Sequence, residues 1–457
     1  MADFPDLERA LQDWADECID ILLNDVRERY ARQGRPTWER DSDGTFRNRI
    51  RSVDQWAPFL IEMSQRRPSW SAVLAVVNDD ARLSGQLNAL VGTIQGAMRL
   101  EPASLFQHCL PSPGEMNARD VAFQRRYSEL DQFLAATEIP YCSIWPVPSV
   151  TSPALPISLE PDVQLDNMSD REFAFSLSTG IIRPLFPGMD MIMPEQETRT
   201  CLRYHYALAK VVGDRSLGNT RSGAPAELES RLQEIKSSFE ECAALALPTP
   251  ALTVGRFNIA SDRTWYPMQG VSYGEFTTPR QARFGSVQIN DEHTNDLLSI
   301  WQAVRTPGLM QRQRGLALAL RRLSYRAQRE RAEDELLDIM IAAEALYLSD
   351  LRNEAYRGEL RYRLAQRAAL LVDPTVVNLG KREAFELMKS AYDARSAIAH
   401  GGVPDPRTIK VGGQKVPLTE LLAVTRKVIT AGCRTALTTA VSRSAWPPDW
   451  DAMAFGP

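Results

Sequence analysis

Five prolines between Ile139 and Pro156, at positions 140, 146, 148, 153 and 156, divide two kinds of sequence and set the first limit on the fold. Proline fixes φ and lacks an amide donor, so no regular helix runs through such a stretch. Upstream, Leu7, Leu11, Trp14, Cys18, Ile21, Leu22 and Val26 recur every three or four residues, the stripe of an amphipathic helix over Asp6–Gln33. Similar spacing predicts helices over Val53–Met63, Ala72–Ile94 and Ala118–Ala136. Residues 1–137 are therefore expected to form a helical region.

Downstream of the break the period changes. Short β-branched and aromatic runs follow the prolines, and Leu202, Tyr204, Tyr206, Leu208 and Val211 nearly alternate within Thr198–Val212, which predicts a half-buried strand. Leu252–Gln288 holds further strand candidates, and Pro225–Leu245 reads as a charged amphipathic helix between them. Residues 138–307 thus predict a mixed α/β middle domain. From His293 the helical period returns, over Thr294–Val304, Arg314–Arg329, Glu333–Leu348, Glu359–Leu371, Lys381–Ala399 and Leu418–Val441. Residues 308–444 predict an all-α bundle. The tail at 445–457, with Trp446-Pro-Pro-Asp-Trp450, is too rich in proline to be expected as helix. At 457 residues the chain exceeds a single core, so the expected class is multidomain α+β.

Composition removes several classes of function. Apolar residues are 44% and charged residues 24%, values of a folded chain and not of a disordered one. No apolar run approaches the roughly 20 residues that span a bilayer. The acidic start, Met-Ala-Asp-Phe-Pro-Asp-Leu-Glu, lacks the basic and apolar regions of a signal peptide, so a cytoplasmic location is expected and no membrane partner. The six cysteines are scattered singly without a C-x-x-C pair, so neither a disulfide framework nor a metal site is expected. No phosphate-binding glycine loop, dinucleotide fingerprint or H-E-x-x-H occurs, and no cofactor is expected. The net charge of −5 conceals an asymmetry. From Met310 onward 23 basic residues face 17 acidic ones, a surplus that suits a polyanionic partner.

Within that basic third, Arg395 and His400 are the residues with chemistry to offer. Histidine can take and give a proton near neutrality. Arginine donates two parallel charge-assisted hydrogen bonds to a phosphate. Gly401-Gly402 and Pro404 stop the helix immediately after His400. Arg-x4-His by itself carries little weight, since chance supplies about 0.4 such pairs in a chain of this composition. Five residues at about 100° each also place the two side chains about 140° apart around a helix, so they do not share a face, and His400 either leaves the helix at its frayed end or works with residues of another protomer.

Three ordered stretches supply the context. The first, Ala319-Leu-Arg-Arg-Leu-Ser-Tyr-Arg-Ala-Gln-Arg-Glu-Arg-Ala-Glu-Asp-Glu-Leu-Leu-Asp-Ile-Met-Ile-Ala-Ala-Glu-Ala-Leu346, ends near the acidic residue Glu344. The second is Leu360-Arg-Tyr-Arg-Leu-Ala-Gln-Arg-Ala-Ala-Leu-Leu371, and the third Tyr392-Asp-Ala-Arg-Ser-Ala-Ile-Ala-His-Gly-Gly402. Together they resemble the ApeA-like branch of the HEPN domains, over roughly residues 316–402. The resemblance implies a HEPN helix bundle and a metal-independent endoribonuclease, a toxin or antiviral defence effector. It also implies a homodimer in which two Arg395/His400 sets line one cleft, with RNA as substrate and the regions before the bundle free to bind a trigger or inhibitor. DNA lacks the 2′-hydroxyl that such cleavage uses.

The supporting residues have readings of their own. Ser396 lies one turn before His400 and could orient its imidazole, although active members of the family often carry Asn, Asp or His there. Glu344 falls on the otherwise apolar line Leu337, Ile341, Leu348 and so needs a partner, for which Arg395 is a candidate. Tyr392 reads as core. Arg322, Arg326 and Arg329 repeat on one helical face and Arg357, Arg361, Arg363 and Arg367 crowd the next helix, where they could follow an RNA backbone. Ser396 and the acidic balance of the whole chain keep a second reading open, a non-catalytic HEPN module for dimerisation or RNA binding.

Overall fold

The structure is a computed structural model. It describes residues 2–25, 31–40, 46–55, 65–87, 90–93, 96–99, 106, 109–110, 113–148, 150–178, 199–209, 226–248, 251, 253–260, 272–273, 287–329, 331–351, 359–402, 404, 409–411, 414–443 and 446–455. The fold is α+β, with helices predominating over a small antiparallel sheet. No helix among the described residues is long and apolar enough to cross a membrane. Two compact units divide the chain: residues 1–146, 160–233 and 254–278 form the first, and 147–159, 234–253 and 279–457 the second.

In the first unit, helix α1 (Pro5–Asp25) packs on α2 (Pro68–Asp79) and contributes to a core shared with α3 (Arg119–Ala135). The stripe expected on α1 is the buried one: Leu7, Leu11 and Trp14 are inaccessible to solvent, and Trp14 meets Trp70 at 5.3 Å. Asp131 of α3 fixes the start of the chain by accepting the amides of Asp3 and Phe4 at 2.9 and 3.0 Å. Beyond α3 the strands β1 (Glu138–Pro146), β2 (Val163–Asn167), β3 (Thr200–Ala209), β4 (Phe257–Ala260) and β5 (Ser272–Tyr273) pair in the order β5-β4-β1-β3-β2. The pairings are antiparallel, with Tyr141 opposite Tyr206 and Phe257 opposite Ile144.

The expected all-helical character of residues 1–137 needs correction. Ala31–Arg40 and Phe46–Gln55 pair as an antiparallel hairpin, and Leu90–Thr93 pairs with Gly96–Arg99. Helix α1 is described over Pro5–Asp25, and Ala31–Gln33 of the expected helix are strand. Gly34 and Pro36 oppose helix, and the glycines at 92 and 96 favour a turn. Val53–Gln55 are strand, and the remainder of the helix expected over Val53–Met63 lies outside the described residues.

Helix α4 (Ala226–Ala246) contributes residues 226–233 to the first unit and the rest to the second. The second unit continues with α5 (Asp291–Val304), α6 (Arg314–Ser324), α7 (Ala332–Tyr347), α8 (Leu360–Leu371), α9 (Lys381–Ala399) and α10 (Leu418–Arg443), close to the spans that periodicity predicts. Asn290 caps α5 by accepting the His293 amide at 2.9 Å, with Asp291 and Glu292 favourably placed at the positive end of the helix dipole. Helix α6 buries Leu316, Ala319, Leu320 and Leu323, a 3–4–7 stripe. Helix α7 packs against α6, α8, α9 and α10. Such a position demands apolar residues on several sides, and Leu336, Ile339, Met340, Ala343, Leu346 and Tyr347 meet the demand. All six cysteines are buried and free.

The tail also departs from expectation, because Trp450–Phe455 is helical (α11). Pro447 and Pro448 precede the helix instead of interrupting it, and Asp449 caps it by accepting the amides of Asp451 and Ala452 at 3.1 and 3.0 Å. Trp446 and Trp450 are buried.

One contact in the bundle sets a steric limit. A Cβ on Gly432 of α10 would lie 2.1 Å from the Tyr347 hydroxyl, itself buried without a hydrogen-bond partner among the described residues. Gly432→Ala should therefore cost about 1–3 kcal/mol through overpacking. Tyr347→Phe, which removes an unsatisfied hydroxyl, should stay within about 1 kcal/mol of the parent. Urea unfolding should find the double variant at least half recovered relative to Gly432→Ala; simple additivity would show that the hydroxyl is not the obstacle.

Candidate active site

Helix α9 presents the residues of interest and α7 their carboxylate. The start of α9 is a Gly380/Glu383 arrangement in which the Glu383 carboxylate accepts the Gly380 amide at 2.9 Å. Its end is a Schellman motif. Gly402 N–H donates to Ala397 O at 2.8 Å and Gly401 N–H to Ile398 O at 2.9 Å, while Gly401 takes φ +76°. His400 is consequently the C-cap residue, with φ −92° and ψ 12°, and its side chain is exposed. Among the described residues its imidazole has no hydrogen-bond or ion-pair partner.

Arg395 lies a little over one turn earlier. Its guanidinium reaches Glu344 of α7 at 3.5 Å and sits 5.9 Å above the Tyr392 ring, while its Nε is buried without an acceptor among the described residues. Tyr392 and Arg395 share a face at i, i+3 spacing. Both charged side chains are about 30% exposed, so the pair occupies the rim of the bundle. Burial pushes the Glu344 carboxyl above its usual range, and Arg395 opposes the rise. The partner anticipated for Glu344 is thus the one it has. Ser396 contributes its carbonyl, which accepts the His400 amide at 3.2 Å.

The candidate RNA-contacting arginines have carboxylate partners within the bundle. Arg322 and Arg329 both bond Asp338, a buried carboxylate, with Arg322 at 2.9 Å. Arg326 lies 3.4 Å from Glu335, which also pairs with Arg426, and burial lowers the Arg326 guanidinium to about 10. Arg361 pairs with Asp393. Arg367 is buried, and Arg363 pairs with Glu359. Arg357 lies outside the described residues. Arg322, Arg326 and Arg329 therefore do not form an open basic stripe: Asp338 and Glu335 take up much of their charge. The sequence signal for this was Asp338 itself, a carboxylate among Leu336, Ile339 and Met340 that no solvated helix face would explain.

A second displaced carboxyl stands apart from this group. Burial pushes Glu241 of α4 up to about 7, with Arg321 opposing the shift and Glu240 adding to it. The unfolded chain ionises Glu241 near 4.5, so between about 4.5 and 7 the folded state holds the extra proton and stability falls as pH rises. Glu241→Gln should therefore melt roughly 2–4 °C above the parent at pH 8 and alongside it at pH 4. Equal melting temperatures at both values would refute this.

Compared with family models, curated proteins and solved structures, the chain has no match.

Proposed function

We propose that the second unit carries a metal-independent endoribonuclease of the HEPN type, a toxin or antiviral defence effector whose two copies build a composite site from Arg395 and His400. The observation that carries the reading is the end of α9, where a cation held at the bundle rim by one carboxylate is followed by an exposed imidazole, unpartnered among the described residues. Arg395 keeps a donor for a phosphate, since Glu344 engages only one Nη among the described residues. The His400 side chain is exposed to solvent. In the reaction these groups can support, an imidazole takes the proton of a ribose 2′-hydroxyl, whose oxygen attacks the adjacent phosphorus. The guanidinium offsets charge on the phosphate oxygens, and an acid, the imidazolium so formed or a solvent water, protonates the departing 5′-oxygen. The products are a 2′,3′-cyclic phosphate and a 5′-hydroxyl.

The dimer is what the HEPN resemblance implies. An ideal helix puts about 140° between Arg395 and His400, which suits an imidazole of one copy acting beside the guanidinium of the other. The pairing of Arg322, Arg326, Arg329 and Arg361 with carboxylates favours a second reading in one respect: a non-catalytic module would need no open basic face. Incubating purified protein with single-stranded RNA in EDTA separates the two. The ribonuclease leaves fragments with cyclic phosphate ends and spares a substrate with 2′-deoxyribose at the scissile position. Intact RNA under all conditions would leave the non-catalytic module.

A further inference from the structure

The last turn of α7 carries Glu344 and ends inside an enclosure built from distant segments. A helix leaves its final carbonyls without partners of its own. Here Trp446 Nε1 donates to Leu346 O at 3.2 Å, and the Arg367 guanidinium donates to Tyr347 O. Arg367 is in turn gripped by both oxygens of Asp350, at 2.6 and 2.9 Å, and lies 5.0 Å from the Trp450 ring. Trp450 stands edge-on to Tyr347 at 6.2 Å and to Trp446 at 5.8 Å. Gly315 of α6 approaches so closely that a Cβ there would lie 2.5 Å from Ala345 O. The carbonyl of Glu344 accepts the Leu348 amide at 2.9 Å, closing the turn.

We propose that the C-terminal segment Trp446–Phe455 is a clamp that positions Glu344, and through it Arg395, by holding the last turn of α7 wound. Trp446 and Trp450 are its positioning residues; neither is catalytic. The inference rests on reading Arg395 as the phosphate ligand. Helix ends fray unless their carbonyls are occupied, and the Glu344–Arg395 approach of 3.5 Å joins the frayable end of α7 to α9. Displacing a substrate-holding group by about 1 Å is enough to slow a reaction substantially. The clamp thus makes geometry at the site depend on a segment about a hundred residues further along the chain.

The test compares the full chain with a form ending at Ser444 and with Trp446→Phe, which keeps an aromatic ring and removes the indole N–H. Two quantities are read: hydrogen exchange of the Leu348 amide and the kcat for RNA cleavage. Truncation should speed Leu348 exchange at least tenfold and lower kcat about tenfold with KM little changed. Adding the peptide of residues 445–457 in trans should restore both. Trp446→Phe should give a smaller shift in the same direction, and it serves if the truncated form does not fold. In a Glu344→Gln background truncation should cause no further loss of kcat, because the residue through which the clamp acts is already changed. Unchanged Leu348 exchange, or a further tenfold loss in the Glu344→Gln background, would overturn the clamp. If the full chain cuts no RNA, the ribonuclease reading fails, and Leu348 exchange alone decides on the clamp.

Discussion

His400→Ala should reduce RNA cleavage by about 10²- to 10⁴-fold, the usual contribution of a positioned acid or base, and leave the bundle folded. The fold is insensitive because the Schellman stop uses the backbone of His400 and the conformational freedom of Gly401. The imidazole itself is exposed and unpartnered among the described residues. Arg395→Ala should lose about 10²- to 10³-fold by removing phosphate stabilisation. The composite site makes a sharper demand. Mixing the two inactive variants should restore activity, since a mixed dimer contains one centre with both residues intact. Cleavage measured in EDTA, with circular dichroism to establish folding, reads all three results. Wild-type turnover by His400→Ala would end the catalytic reading, and a mixture as inactive as its components would end the composite one.

Asp350→Ala should destabilise the second unit by about 3 kcal/mol or more. Its partner Arg367 has a side chain only 8% exposed, sealed under Trp450, and Asp350 supplies two of its hydrogen bonds. Removing the carboxylate leaves a desolvated charge with only the Tyr347 carbonyl as an oxygen partner among the described residues. Arg367→Met should cost less, because Asp350 is 32% exposed and water can hydrate it once the guanidinium has gone. The double variant Asp350→Ala/Arg367→Met should accordingly be more stable than Asp350→Ala alone. Urea unfolding followed through the fluorescence of the buried Trp446 and Trp450 measures this order. A double variant weaker than both singles would show that Arg367 acts by packing and not by charge.

Most of the second unit was legible from periodicity because its helices are long and amphipathic, and their caps are local. Gly401-Gly402 announced the end of α9, and the structure ends α9 there by the expected glycine geometry. Glu344 announced a partner by being charged on an apolar line, and Arg395 is that partner. The hairpins at Ala31–Gln55 and Leu90–Arg99 were missed since strand pairing is decided by a second segment, which a window of periodicity does not contain. The helix at Trp450–Phe455 was missed because two prolines masked a cap that begins immediately after them.

The sequence alone therefore determined the helices of the bundle, the stop after His400, and the placing of that histidine five residues after Arg395. Each of these depends on side chains within a few turns of one another. Only the tertiary structure decided what became of the charges. It paired Arg322 and Arg329 with Asp338, sealed Arg367 beneath Trp450 with Asp350, and left Arg395 at the rim with one carboxylate and donors to spare. Charge pairing across helices depends on which faces meet, and that is set by packing α7 among four neighbours, not by any spacing along the chain.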